Sequence, residues 1–256
     1  MKKAFINSMP KAGTNLLSRF LCLSGLTKVR LSFRQIPFDP LTTPILDYGY
    51  PLGGDYIRPV KRHLVDRRFS SLKDGQFLIG HFGYSHCFLD LASKIDAQVI
   101  VMIRDPRAVL NSFVHYVVKE RRHPMHKYFN SLSHEQRYEV AFRGGWAGKA
   151  YLEPMINRCY MLQPWLDLQD ALLVRFEELI GAKGGGNDNH QTNVTKVIAD
   201  RLGIPENSRS NAVKLLFGES NTFRSGQIDS WRLEIPVALQ PEIDHTLRNI
   251  LEAWHY

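Results

Sequence analysis

The chain has 256 residues, 44% of them apolar and 23% charged, the balance of an ordinary globular protein with one large core, so a single domain over 1–256 is expected. Lys and Arg number 33 against 25 Asp and Glu, a net charge of +8 that draws anionic ligands. The basic residues are scattered, without the aromatic-interleaved stripe of a single-strand binder, and nucleic acid is not the expected partner.

Cys22, Cys87 and Cys159 lie far apart and form no C-x-x-C pair. That speaks against a disulfide framework or a structural zinc site and fits buried thiols in a reducing compartment. The apolar stretch in "MKKAFINSMPKAG" is too short for a secretory signal, and no segment reaches the length of a membrane span. A cytoplasmic location is therefore expected; composition is silent on oligomeric state.

Strand and helix signals then alternate. "KKAFINSM" (2–9) reads as a strand and 14–26 as a helix. Residues 33–60 are rich in Pro, Gly and aromatics, which suits a packed, irregular loop over a site. "QFLIGHF" (76–82) and "QVIVMI" (98–103) read as strands, 106–119 as a helix, and "ALLVRFEEL" (171–179) as a strand leading to a turn. The glycine run and polar tail of "KGGGNDNHQT" (183–192) read as a mobile surface loop without function. This order predicts an α/β fold with a central parallel sheet and helices on both faces, P-loop-like in its first turn.

That first turn, "MPKAGTNL" (9–16), puts a lysine, a glycine and a hydroxyl between a strand and a helix, where P-loop proteins hold phosphate. It is shorter than the usual loop, and its lysine precedes the glycine. Taken alone, it is also what a ligand-free strand, turn and Thr14-capped helix would look like. A second motif, "VIVMIRDPRAVLNSFVHY", ends a buried strand with Arg104, starts a helix at Pro106, and places Ser112 about two turns into it. An arginine fork with a hydroxyl facing it can grip a second phosphate beside the first. The bland alternative is a cap in which Asp105 pairs with Arg107. A third element is "NTFRSGQIDSW", with Phe223-Arg224-Ser225-Gly226 before Trp231.

With these three elements the chain resembles the sulfotransferases that use 3′-phosphoadenosine 5′-phosphosulfate (PAPS) as donor. The motifs stand in that family's order and span positions 10 to 231. The resemblance implies that Lys11, Gly13, Thr14 and Asn15, with Ala12 in the same loop, bind the phosphosulfate. It likewise implies that Arg104, Ser112, Arg224, Ser225 and Gly226 bind the 3′-phosphate, and that Phe176 of "VRFEEL" lies near the adenine. Leu16 departs from the pattern where many members have a tryptophan, Ser225 where they have a lysine, and Asp229 and Ser230 stand at the family's Gly-Asp positions. The chain thus looks like a divergent, bacterial-style member.

Sulfuryl transfer, like phosphoryl transfer, is a loose in-line displacement in which charge builds on the leaving oxygen. Amides at the start of the 14–26 helix would cradle the anion, and Lys11 would neutralise the leaving oxygen. The sulfuryl group carries less charge than a terminal phosphate, so no metal is expected. The base implied by the resemblance is His81, with His86 in reserve and Glu177 or Glu178 behind it; His115, His123 and His126 read as lid or solvated surface. The acceptor is expected to be a small-molecule or carbohydrate hydroxyl. A kinase or nucleotidase using ATP and magnesium, and a non-catalytic polyanion binder, are the two rival readings.

Overall fold

The computed structural model describes residues 1–30, 49–52, 58–84, 93, 94, 96–218 and 226–256. Its centre is a five-stranded parallel sheet of β1 (Ala4–Ser8), β2 (Thr27–Val29), β5 (Gln76–Gly80), β6 (Gln98–Ile103) and β9 (Leu172–Arg175), in the order β2-β5-β1-β6-β9. Between β2 and β5, strands β3 (Gly49–Leu52) and β4 (Arg58–Lys61) pair antiparallel. The expected irregular loop over 33–60 is therefore partly a ribbon there, and its remainder, 33–48 and 53–57, lies outside the described residues.

Residue alternation explains why helices cover both faces. Phe5, Leu78, Val101 and Ile103 belong to one apolar cluster, while Ala4, Ile6, Phe77, Ile100 and Met102 belong to the other. Side chains alternate across a strand, so each strand feeds two cores. The first core is closed by α3 (Pro106–Lys119), α4 (His126–Asn130), α5 (His134–Arg143), α6 (Met155–Leu166) and α11 (Gln240–Trp254), following α1 (Thr14–Leu23) and α2 (Arg62–Ser70) in the chain. The second is closed by α1, α7 (Phe176–Leu179), α8 (Asp188–Leu202) and α9 (Glu206–Lys214). The short α10 (Trp231–Glu234) contributes Trp231 to the first core, and a two-stranded ribbon of β7 (Gly145–Ala147) and β8 (Ala150–Leu152) links α5 to α6.

Strand β6 and helix α3 have the boundaries expected from sequence. Helix α1 stops at Leu23, short of 26, because Gly25 takes φ 99° and Leu26 N–H turns back to Leu21 O. The segment 171–179 is a strand only to Arg175 and then one helical turn, closed by Ile180 N–H donating to Phe176 O.

The largest correction concerns 183–192, which is not a mobile loop. Ala182–Gly184 is a 3-10 turn, and α8 begins at Asp188 under a cap in which Asn187 accepts from Asn189 N–H and His190 N–H. A Cβ at Gly184 would come within 2.6 Å of Gly226 O, and one at Gly186 within 2.6 Å of Glu177 O. The glycines permit close backbone approach, which in a sequence looks the same as flexibility.

Candidate active site

The C-terminal ends of β1, β5 and β6 converge where the chain leaves β1 on one side and returns on the other, the usual place for a ligand crevice in an open α/β sheet. After Ser8, the turn closes by Ala12 N–H donating to Met9 O at 3.2 Å. Lys11 (φ 72°) and Gly13 (φ 100°) both occupy the left-handed region, which costs a residue with a Cβ roughly 1–2 kcal/mol. Gly13 has a second constraint: a Cβ there would overlap the Phe176 ring and approach Met102 Cε to 2.9 Å.

Gly13 is the N-cap of α1 and supplies no capping side chain, so the ligand-free arrangement with Thr14 as cap is not what forms. Thr14 is inside the helix, and its Oγ1 lies 2.6 Å from Ser8 Oγ. The Lys11 ammonium rests 4.1 Å from the centroid of the Tyr116 ring on α3, one turn beyond the half-buried Ser112.

His81 follows the last residue of β5. Its Nδ1 lies 2.8 Å from Ser8 O, a carbonyl that can only accept. Nδ1 therefore carries the proton and Nε2 is the basic nitrogen. Burial holds the imidazole pKa below 6.5, with the Lys28 and Lys11 charges pushing the same way and the Ser8 bond opposing them. Ser8, Met9, His81, Phe82, Gly83, Arg158, Met161 and Leu162 line a small crevice.

Arg104 directly follows β6 and is 9% exposed. Its guanidinium stacks 4.1 Å over the Phe176 ring, and Nη2 donates to Gln227 O at 3.3 Å. Asp105 does spend its carboxylate on Arg107, at 2.9 Å, as the cap reading of Arg-Asp-Pro-Arg has it. Arg107 in turn lies 4.3 Å over Trp231 and 3.0 Å from Asp244. Glu177 accepts from Asp105 N–H at 3.1 Å and from the Tyr256 hydroxyl at 2.7 Å; burial raises its pKa. The turn after Arg104 is thus braced by Glu177, which occupies that carboxylate at the β6 end and away from the His81 crevice.

Lys11, Ala12, Gly13, Thr14, Asn15, His81, Arg104 and Phe176 all follow strand ends of the same sheet edge. Gly226 (φ 64°) opens the late segment, which docks through Ile228 N–H to Gly184 O and Gln227 Nε2 to Lys183 O. Arg224, Ser225 and His86 lie outside the described residues. His123 is half-buried between the rings of Phe113 and Tyr116, and its pKa is pushed down to about 4 by burial. His126 Nδ1 donates to Val117 O, and His115 pairs with Glu234, so these two are packing elements of α3 and α4. Among the described residues, no three His, Cys, Asp or Glu side chains are grouped to hold a metal, and no helix is long and apolar enough to cross a membrane.

Sequence reasoning missed Asn7, Arg158 and Gln227. Asn7 hid in the run "AFIN", and Gln227 acts through its backbone carbonyl, which no side-chain pattern announces.

No curated protein sequence matches the chain. Among solved structures, it is similar to mouse sulfotransferase SULT7A1 complexed with PAP, with a TM-score of 0.62 at 13% identity over 98% of this chain and 84% of that one. A retinol dehydratase in complex with androsterone and inactive cofactor PAP aligns at a TM-score of 0.47 and 13% identity, over 98% and 81% of the two chains. The sulfotransferase domain model matches residues 1–182, from β1 through β9 and α7. The chain belongs to the sulfotransferase family and is a sulfuryl-transferring enzyme.

Proposed function

We propose that the chain moves a sulfuryl group from PAPS to the hydroxyl of a small-molecule or carbohydrate acceptor, leaving PAP, with His81 as general base and the whole of 1–256 working as one domain. One cluster running from Phe5 to Trp254 supports the last point. The observation that carries the catalytic reading is the double use of Ser8. Its hydroxyl meets Thr14 of the anion loop, and its carbonyl holds His81 Nδ1. Loop and base are thereby fixed to a single residue, with Nε2 basic and His81 in the wall of a crevice.

The residues present fit the donor. The loop has two left-handed positions and an uncapped helix start, which favours an anion. Lys11, Gly13, Thr14 and Asn15 would take the 5′-phosphosulfate; Arg104 and Ser112, with Arg224, Ser225 and Gly226, would take the 3′-phosphate. Phe176, buried under Arg104 and against Gly13, serves as their common brace rather than as an exposed platform for the adenine.

PAPS supplies an activated sulfuryl group with PAP as leaving group. His81 Nε2 takes the acceptor proton as the new S–O bond forms, while Lys11 and the α1 amides hold the negative charge left on the 5′-phosphate. The similar mouse sulfotransferase, crystallised with PAP, supports this choice of nucleotide. Calorimetry with PAP in EDTA tests it. Binding without added metal is expected, and binding of Mg-ATP with none of PAP would turn the assignment to the kinase reading.

A further inference from the structure

The central strand of the sheet carries one residue that strands disfavour. Asn7 is fully buried, between Ile6 and Ser8 of β1, where β-branched or aromatic side chains would serve the sheet better. A buried carboxamide must find partners for both of its ends. Asn7 finds both on one residue: Oδ1 accepts from Phe82 N–H at 2.8 Å, and Nδ2 donates to Phe82 O at 3.0 Å.

The register shows what this pairing replaces. Asn7 lies opposite Gly80, the last residue of β5, where the parallel ladder stops. Two residues on, the Phe82 side chain folds back so closely that a Cβ at Gly80 would overlap its ring. Phe82 is 3% exposed, so its amide and carbonyl need partners within the protein. The Asn7 side chain acts as a surrogate peptide group, carrying the ladder past the end of β5.

His81 is the residue spanned. Gly80 before it is held by the sheet, Phe82 after it by Asn7, and its own ring by the carbonyl of Ser8, next to Asn7. We propose that Asn7 is a positioning residue of the sulfuryl-transfer site, fixing the backbone around His81 so that the Nδ1–H to Ser8 bond persists and Nε2 stays the basic nitrogen. This rests on His81 being the general base. No other side chain of similar size does the same. Asp would set a carboxylate oxygen against Phe82 O, Gln is a methylene too long, and Val or Ile would remove both hydrogen bonds to Phe82.

Loosening this span would expose the imidazole to water and relieve the desolvation that holds its pKa down, while the charges around it, Lys11, Lys28 and Arg158 of the crevice wall, stay in place. The test is an NMR titration of the ring protons in wild type and Asn7→Ala, with the His81 signal identified by its loss in His81→Ala. PAP affinity and acceptor turnover are measured alongside. Asn7→Ser, whose shorter hydroxyl cannot bridge both Phe82 groups, is the second variant if Asn7→Ala folds poorly.

The expected result is a His81 pKa that rises toward 6.5 and a kcat lower by roughly 10–100-fold, with the Kd for PAP within about threefold of wild type. An unchanged His81 titration would overturn the proposal, and would show Asn7 to be a sheet anchor if kcat and PAP affinity fell in parallel. A fully active His81→Ala enzyme would instead overturn the assignment of the base, a failure that the titration arm keeps separate.

Discussion

The guanidinium of Arg104 and the ring of Phe176 are stacked at 4.1 Å, and the same ring fills the space that a side chain at residue 13 would need. One aromatic residue therefore sets the spacing between the anion loop after β1 and the arginine after β6. These are the two places proposed for the two charged ends of the donor.

Arg104→Ala should reduce the preference for PAP over AMP. The lost contact is charge-assisted and worth about 1.5–3 kcal/mol, so PAP binding should weaken by roughly tenfold to a hundredfold while AMP binding changes little. Calorimetry with both nucleotides reads this directly. Equal weakening of PAP and AMP would remove the 3′-phosphate from the account.

Gly13→Ala should damage stability and binding together. The added methyl overlaps the Phe176 ring and enters a left-handed backbone position, for a combined loss of roughly 2–5 kcal/mol. Urea unfolding gives the first quantity and PAP titration the second. A variant as stable as wild type would mean that loop and ring adjust independently.

The reach of the sequence differs sharply across these features. Strand β6 and helix α3 were legible to the residue because a continuous apolar run ends at Arg104 and Asp105-Pro106 is a strong helix start. The helices α4, α5, α6, α9, α10 and α11 received no assignment, although Ser133 and Gln136 form a capping box at the start of α5. The glycine run at 184–186 misled because close packing and flexibility share a composition. In the site, charged residues at strand ends were visible. The supports were not: Ser8 acts through its carbonyl, Gln227 through its backbone, and Asn7 through a partner 75 residues away.

Acid should destabilise the fold before the carboxylates titrate. His123 has a native pKa of about 4 against 6.5 for an unperturbed imidazole. The unfolded chain thus takes up a proton that the native state refuses as pH falls from about 6.5 to 4, and stability is lost across that window. His81, also shifted down, acts in the same direction. His123→Phe keeps an aromatic ring beside Phe113 and Tyr116 and removes the titration, so the decline in Tm between pH 6.5 and 4 should become shallower. A decline identical to wild type would assign the acid sensitivity elsewhere.

The central claim is that His81 takes the acceptor's proton while the anion loop holds the donor, and single-residue kinetics separate the two roles. A screen of hydroxylated compounds with labelled PAPS, scored by mass, first supplies an acceptor. With it, Lys11→Ala should lower both turnover and PAP affinity, because the ammonium meets charge in ground state and transition state alike. His81→Ala is the decisive measurement: kcat should fall roughly 10²–10⁴-fold with PAP affinity nearly intact, and the acid limb of the rate, set below pH 6.5 in wild type by the lowered His81 pKa, should vanish. Full turnover on that acceptor by His81→Ala, with the acid limb still present, would contradict the account.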